Sequence, residues 1–339
     1  MGDAVDRPRI AVVGTGLIGG SILLRLHQTG VRVTGWDPDP ATRAEGRRRG
    51  VDLPDELADA VGDRDVVFLA GPLPSLPETL LAVAALTPGQ CVLTDVGSTK
   101  AAVAGFAATH GLTGRFVPGH PMAGAERAGL VSAQAGLFTD AAWVLCPSVD
   151  GLGSFRSLVG LVVDVFGAHV VPMSPAVHDG VVALSSHVPH LLAGGLAGAA
   201  ADSPVRDAVL ALAAGSFRDG TRVASTPARR TADMLLSNRE QVLRQLAGVR
   251  AALDELTEAV RDEDRPALVA RYERARIVRS GGVDRWGAVH RSFDLAADPA
   301  AELAFVQSVG EAGGHLTGCV VDAGAVTYTG RMPAGGTSA

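Results

Sequence analysis

The chain has 339 residues, 47% of them hydrophobic, and carries 36 acidic against 30 basic side chains for a formal charge of −6. A length of this order holds about two domains with sizeable apolar cores. The acidic balance, without a long run of like charge, argues against nucleic acid or an anionic membrane as a partner.

Cys91, Cys146 and Cys319 stand apart without Cys-x-x-Cys spacing, which suits free thiols in a reducing cytoplasm better than a disulfide framework or a zinc site. The polar stretch Met1 to Arg9 leads directly into an apolar run, so no secretory leader is expected.

Ile10-Ala11-Val12-Val13 reads as a strand that enters Gly14-Thr15-Gly16-Leu17-Ile18-Gly19, and helical periodicity follows through Leu23, Leu24 and Leu26. Strand, glycine turn and helix in this order form a dinucleotide site. The first glycine permits the turn, the second admits a pyrophosphate, the third lets helix pack on strand, and the helix N-terminus faces the phosphates. Residues 31–36 give a second strand ending at Asp37, where a carboxylate would take the adenosine ribose hydroxyls and favour NAD over NADP. Asp37 also suits a turn residue in Asp-Pro-Asp-Pro. Arg43 and Arg47 to Arg49 offer either a solvated helix face or a site for a 2′-phosphate.

Further strands fit residues 66–70, 91–95, 116–117, 143–146 and 169–171, separated by Ala/Leu-rich segments of helical length. Such alternation predicts a mostly parallel sheet covered on both faces, with ligands beyond the strand C-terminal ends. Gly71-Pro72, Asp95 to Lys100 and Gly119 to Gly124 all fall at such ends. Lys100 is the only lysine in the chain; either it is a surface residue or its compact ammonium does something that arginine's broad fork cannot. His120 stands in Gly119-His120-Pro121-Met122-Ala123-Gly124, which reads as a Gly/Pro-rich loop placing a base beside a hydride carrier.

From Met173 onward helical patterns take over, at residues 175–201, 205–214, 227–262 and 266–280. Prolines open several of them. Residues 181–201 lack charge but contain Ser185, Ser186, His187, Pro189 and His190, which are costly in lipid, so a buried helix is expected rather than a membrane span. The Ala/Gly-rich stretch Leu191 to Ala201 suggests close helix packing in a homodimer. His178, His187 and His190 lack a supporting carboxylate or thiolate cluster, so no metal is expected. Past Ser280, residues 286–295 alternate like a strand, 299–313 are helical, and 315–321 with 325–332 read as a hairpin. This unit suggests either a small regulatory module or an edge bracing the dimer, and a disordered tail is expected from Pro333.

The motifs GTGLIGGS (14–21), DVGSTK (95–100), GHPMAGAERAG (119–129), MSPAVHDGVVALSSHVPH (173–190) and SFRDGTRVA (216–224) occur together and in order. As a set they closely resemble the prephenate dehydrogenase family over about residues 8–280. The resemblance implies an α/β chain: an N-terminal Rossmann domain over 1–172, a helical substrate and dimerisation domain over 173–280, and a small C-terminal α+β extension over 281–332, with the active site between the first two.

It further implies NAD-dependent oxidative decarboxylation of prephenate in tyrosine biosynthesis. His120 matches the catalytic base and Ser98 the serine assisting at the substrate hydroxyl. Arg222 matches the arginine that holds a carboxylate, His187 a second polar substrate contact, and Glu126 with Asp219 an acidic pair. The cofactor set is Gly14, Gly16, Leu17, Ile18, Gly19, Asp37, Gly71 and Ser98. A neutral imidazole with its ordinary pKa of about 6.5 suits a base at cytoplasmic pH. Two departures stand out: many relatives carry a tryptophan in the stretch aligning with Thr226 to Asn238, where this chain has Ser225 to Thr231 without one, and Ala125 stands where threonine is common. Arogenate or 4-amino-4-deoxyprephenate, acted on by the same machinery, and a non-catalytic NAD(H) sensor are the alternatives.

Overall fold

Short, mostly apolar runs build the first five strands of the computed structural model, which describes residues 8–124, 129–280, 286–295, 298–322 and 324–334. The strands are β1 (Ile10–Val13), β2 (Val33–Trp36), β3 (Val66–Leu69), β4 (Val92–Asp95), β5 (Phe116–Val117), β6 (Gly119–Pro121), β7 (Ala142–Leu145), β8 (His169–Pro172), β9 (Trp286–Asp294), β10 (His315–Asp322) and β11 (Ala325–Pro333). The first-half helices are α1 (Leu17–Gln28), α2 (Pro40–Arg48), α3 (Leu57–Val61), α4 (Leu76–Leu86), α5 (Ala101–Thr109) and α6 (Leu152–Asp164).

Five parallel strands form a sheet of order β2-β1-β3-β4-β5. β1, β3 and β4 are buried along their whole length, which explains why they read as continuous apolar runs rather than as alternation. The order reverses between β1 and β3, so the crevice at their C-terminal ends is the place for a ligand.

The remaining strands form a second sheet, β6-β7-β8-β10-β11-β9. One expectation is corrected here: His120 lies on a strand, not in a loop. β6 runs antiparallel to β7 with His120 opposite Val144 and Pro121 opposite Trp143. Glycine and proline argue locally against a strand, but β6 is the sheet's edge, where a missing N–H is tolerated.

The C-terminal strands and the helix α14 (Pro299–Glu311, numbered after the helices given below) are present as expected, and they join this second sheet through β10 on β8, Leu316 opposite Val170. The described residues up to His178, together with those from Gly287 onward, accordingly make one unit and Asp179–Trp286 the other. A buried polar contact ties α14 and β11 to α6. Glu302, 1% exposed, accepts from Arg156 Nε at 2.9 Å, from Arg156 Nη2, and from the Tyr328 hydroxyl at 2.5 Å. Burial first, and then the neighbouring carboxylate, push the Tyr328 phenol well above its ordinary range. Cys319 on β10 is likewise pushed up by burial, to about 11, and none of the three cysteines is joined in a disulfide.

The second unit is helical: α7 (Pro175–Val182, which begins in the first unit), a π-helical turn Ala183–His187, α8 (Val188–Ala201), α9 (Arg206–Ala211), α10 (Gly215–Thr221), a 3₁₀ turn Arg222–Ser225, α11 (Ala228–Ser237), α12 (Arg239–Arg261) and α13 (Arg265–Ser280). The helix expected over 227–262 is two helices, interrupted at Asn238, whose backbone leaves the helical region and whose side chain is used elsewhere. The expected burial of residues 181–201 is also corrected. Val181, Leu184, Leu192 and Leu196 are each more than two-fifths exposed in the single chain, because neighbouring helices cover only part of α7 and α8.

Replacing Glu302 with leucine strands Arg156 and the Tyr328 hydroxyl in the core. Urea unfolding should then show a loss of about 3–5 kcal/mol; an unchanged midpoint would show that the contact does not fasten α14 to α6.

Candidate active site

The glycine turn after β1 is built by close approach. Gly14 has φ +91 and donates to Trp36 O at 2.7 Å, and a Cβ there would lie 2.7 Å from the Ala70 carbonyl carbon and 2.8 Å from Gly71 N. A Cβ on Gly19 would stand 1.9 Å from Gly14 O, so the helix packs on the turn only without one. Gly16, by contrast, has nothing within 4 Å of the Cβ position. It borders open space at the start of α1, whose first turn bears no acidic side chain. Leu17 and Ile18 supply the next N–H groups of that helix end, so the turn fits a pyrophosphate as a cradle of backbone donors.

Asp37 ends β2 beside this turn. Its Oδ2 accepts from Thr15 N at 2.7 Å and Thr15 Oγ1 at 3.3 Å, and its Oδ1 accepts from Asp39 N at 3.0 Å. The carboxylate therefore shapes the turn, the second of the two roles open in the sequence, and a carboxylate offers about four acceptor positions, one more than these bonds use. Arg43 donates to Asp37 O at 2.7 Å, Arg47 to Leu53 O at 2.6 Å and to Asp55, and Arg48 and Arg49 pair with Glu45. These guanidiniums serve α2 and its turn, an arrangement that suits a ribose hydroxyl better than a 2′-phosphate.

At the end of β4 the carboxylate of Asp95 is fully buried. Its Oδ2 accepts from Gly97 N at 2.8 Å and from Lys100 Nζ, while Oδ1 accepts from Gly119 N at 3.1 Å. Lys100 Nζ also donates to Gly119 O at 2.7 Å. One ion pair thus holds both backbone groups of Gly119 and the turn that carries Ser98. The compact ammonium can reach a carboxylate and a carbonyl from one point, which a planar guanidinium fork cannot do in the same space. A Cβ at Gly119 would lie 2.7 Å from Asp95 O, so only glycine lets β6 come this near to β4.

His120 follows immediately and is half buried. Its Nδ1 is 2.9 Å from Nε2 of His178, a residue with no exposed surface, and the ring planes cross at 76°. Nδ1 is engaged by His178, so Nε2 is the ring nitrogen outside this contact. No local pattern signals this pairing, because His178 lies 58 residues away along the chain.

In the second unit His187 closes the π turn and is 1% exposed. Asn238 Nδ2 donates to His187 Nδ1 at 3.1 Å and to Asp179 O at 2.7 Å. An amide nitrogen only donates, so neutral His187 carries its proton on Nε2 and presents a donor there. Asp219 lies on α10 and Arg222 begins the following 3₁₀ turn; both are exposed. Ser225 to Thr231 run from that turn into α11. Glu126 and Ala125 lie outside the described residues. Asn238 holds His187 in place, a contact that helical periodicity hid.

A glycine cradle at the crevice of a parallel sheet, an aspartate at the end of the next strand and an oriented histidine nearby define an NAD-dependent dehydrogenase. The comparisons with known proteins narrow the class. The family model described as "Prephenate dehydrogenase, nucleotide-binding domain" matches residues 22–171, and "Prephenate dehydrogenase, dimerization domain" matches residues 174–273. A prephenate dehydrogenase of Bacillus subtilis is 33% identical over 301 residues, covering 85% of this chain and 80% of the relative. The structure of prephenate dehydrogenase from A. aeolicus in complex with hydroxyphenyl propionate and NAD+ matches with TM-score 0.75 and 26% identity over 82% of this chain and 99% of that one. Synechocystis arogenate dehydrogenase matches with TM-score 0.70 and 28% identity over 80% and 98%. The chain belongs to the prephenate dehydrogenase family.

Replacing Lys100 with methionine leaves the Asp95 carboxylate buried without its cation and should cost about 3–5 kcal/mol in urea unfolding. The double change Asp95→Leu with Lys100→Met should cost clearly less than the sum of the two single changes. Strict additivity would mean that the pair does not act as a unit.

Proposed function

We propose that this chain catalyses the NAD-dependent oxidative decarboxylation of prephenate to 4-hydroxyphenylpyruvate, the step that leads towards tyrosine. The observation that carries the reading is the Asp95 carboxylate, which fixes the Ser98 turn and the His120 strand together at the C-terminal edge of the dinucleotide-binding sheet. Family membership and the 33% identity to the Bacillus subtilis enzyme support the substrate.

NAD+, when bound, supplies the hydride acceptor for the hydrogen on the hydroxyl-bearing ring carbon. Gly14, Gly16 and Gly19 with the first N–H groups of α1 hold its pyrophosphate, Asp37 its ribose hydroxyls, and Gly71 the crevice wall. His120 Nε2 takes the proton of the ring hydroxyl, and Ser98 Oγ hydrogen-bonds the same oxygen. As the ring carboxylate departs as carbon dioxide, its bonding pair enters the ring, which becomes aromatic. The oxygen recovers its proton from His120, so no proton is gained or lost overall. Aromatisation drives the step, and the protein contributes orientation and charge placement. The family resemblance assigns Arg222, a planar fork, to a substrate carboxylate, His187 to a second polar substrate contact, and Glu126 with Asp219 to an acidic pair.

We further infer a cytoplasmic homodimer joined through the apolar surfaces of α7 and α8. The exposure of Val181, Leu184, Leu192 and Leu196 supports a covering partner, the matched family domain is described as a dimerization domain, and cysteines outside any disulfide suit a reducing compartment. Arogenate is the second substrate reading, favoured by the match to Synechocystis arogenate dehydrogenase. Thr226 to Asn238, a stretch where many relatives carry a tryptophan, and Ala125 are the positions that bear on that choice.

The test follows NADH formation with prephenate, arogenate and 4-amino-4-deoxyprephenate in parallel, identifying products by mass. Rapid conversion of prephenate to 4-hydroxyphenylpyruvate is expected; turnover confined to an amino analogue would change the substrate while keeping the machinery, and silence with all three would favour an NAD(H) sensor. His120→Asn should lower kcat by about 10²-fold or more with NAD+ binding intact. Arg222→Ala should chiefly raise KM, by roughly ten- to a hundredfold if it removes a charge-assisted contact of about 1.5–3 kcal/mol.

A further inference from the structure

We propose that His178 is a positioning residue for the reaction: its neutral Nε2 accepts the Nδ1 proton of His120 and so keeps His120 in the one tautomer whose Nε2 can act as a base. This rests on the reading of His120 as the base.

Two imidazoles meeting nitrogen to nitrogen at 2.9 Å share a single proton between Nδ1 of His120 and Nε2 of His178. The position of that proton decides what His120 can do. If His178 donates, Nδ1 of His120 is the acceptor, a neutral His120 then bears its proton on Nε2, and no lone pair faces a substrate hydroxyl. If His178 accepts, His120 bears its proton on Nδ1 and Nε2 keeps the lone pair that removes a proton. A doubly protonated His178 has only donors and would impose the first arrangement, so the active pair requires neutral His178 with its own proton on Nδ1.

The same arrangement serves the next moment of the reaction. Once Nε2 has taken the proton, His120 is an imidazolium, and its Nδ1–H still points at the Nε2 acceptor. The hydrogen bond becomes charge-assisted without any atom having to reorient, which is how preorganised groups favour a charge that develops during the reaction. His178 thus fills the place of the third group that orients a catalytic histidine in hydrolase triads, with a neutral ring in place of a carboxylate.

The surroundings make this geometry rigid. His178 has no exposed surface, and its backbone N–H is bonded to Ser174 O at 3.0 Å in the first turn of α7. His120 is fixed from the other side by β6 pairing with β7 and by Asp95 and Lys100 on Gly119. The ring planes cross at 76° with centroids 5.1 Å apart, a separation that fits two rings meeting nitrogen to nitrogen at their edges rather than stacking their faces.

Three variants and one spectrum test the proposal. His178→Leu keeps comparable bulk without an acceptor and should lower kcat for prephenate by about 10²-fold or more while KM stays within about twofold. His178→Gln places a carboxamide oxygen near the lost Nε2 and should recover at least tenfold of that loss, a rescue that a packing role alone would not produce. Nitrogen-15 NMR of the NAD+-bound wild-type protein, above the ordinary imidazole titration range, should show His120 protonated on Nδ1 and bare on Nε2. An inactive His120→Asn beside a fully active His178→Leu would overturn the positioning role and leave the base assignment standing. Normal turnover in His120→Asn would overturn both. Should His178→Leu fail to fold, the wild-type spectrum decides, and a proton on Nε2 of His120 would refute the proposal.

Discussion

The buried ion pair between Asp95 and Lys100 is the contact on which the site depends. Its two side chains have no exposed surface, and two charges so placed persist only if their remaining hydrogen-bonding capacity is met. Here it is met by the backbone of Gly97 and by both the N–H and the carbonyl of Gly119. The cost of burying charge is thereby offset by contacts that define the positions of Ser98 and His120. Replacing the pair with apolar residues of similar size can preserve stability in other proteins, but it would remove the donors and acceptor that bring the edge of the second sheet against the end of the first. The pair is therefore better understood as a device of geometry than of stability.

Each unit orients a histidine through its Nδ1, leaving the role of Nε2 to be set by chemistry. In the first unit a buried imidazole meets His120; in the second an amide donor meets His187. The consequences are opposite. An amide donor forces the proton of neutral His187 onto Nε2 and makes that nitrogen a hydrogen-bond donor, whereas the neutral imidazole acceptor proposed for His120 would leave its Nε2 as a base. On those proposed roles, the division between binding and proton transfer lies in the partner of each ring rather than in the rings themselves. The price of such orientation is a break in helical regularity at Asn238 and a π turn ending at His187, and π turns of this kind are often found at functional positions.

Much of this was legible in the sequence. β1, the glycine turn and Asp37 follow from an apolar run of strand length, a fixed glycine spacing and an acidic residue at the next strand end. Lys100 drew notice as the only lysine, and the structure gives it a task suited to a compact ammonium. β6 escaped because Gly119 and Pro121 describe only local conformation, while its pairing partner β7 lies some twenty residues further on. The break between α11 and α12 escaped because apolar periodicity runs straight through Asn238, whose contacts are with Asp179 and His187. The joining of β10 to β8 rests on pairing across nearly 150 residues, which no window of sequence reports. What local propensity and spacing encode was readable; what depends on distant strands and side chains meeting was not.

If the Asp95 carboxylate presents Ser98 and His120 to one substrate oxygen, a crystal structure of the protein with NAD+ and hydroxyphenyl propionate should show the ring hydroxyl within about 2.6–3.2 Å of both His120 Nε2 and Ser98 Oγ, with Asp95 still bonded to Gly97 and Gly119. A ring hydroxyl that meets neither side chain, or a bound complex in which Gly119 has left Asp95, would contradict it.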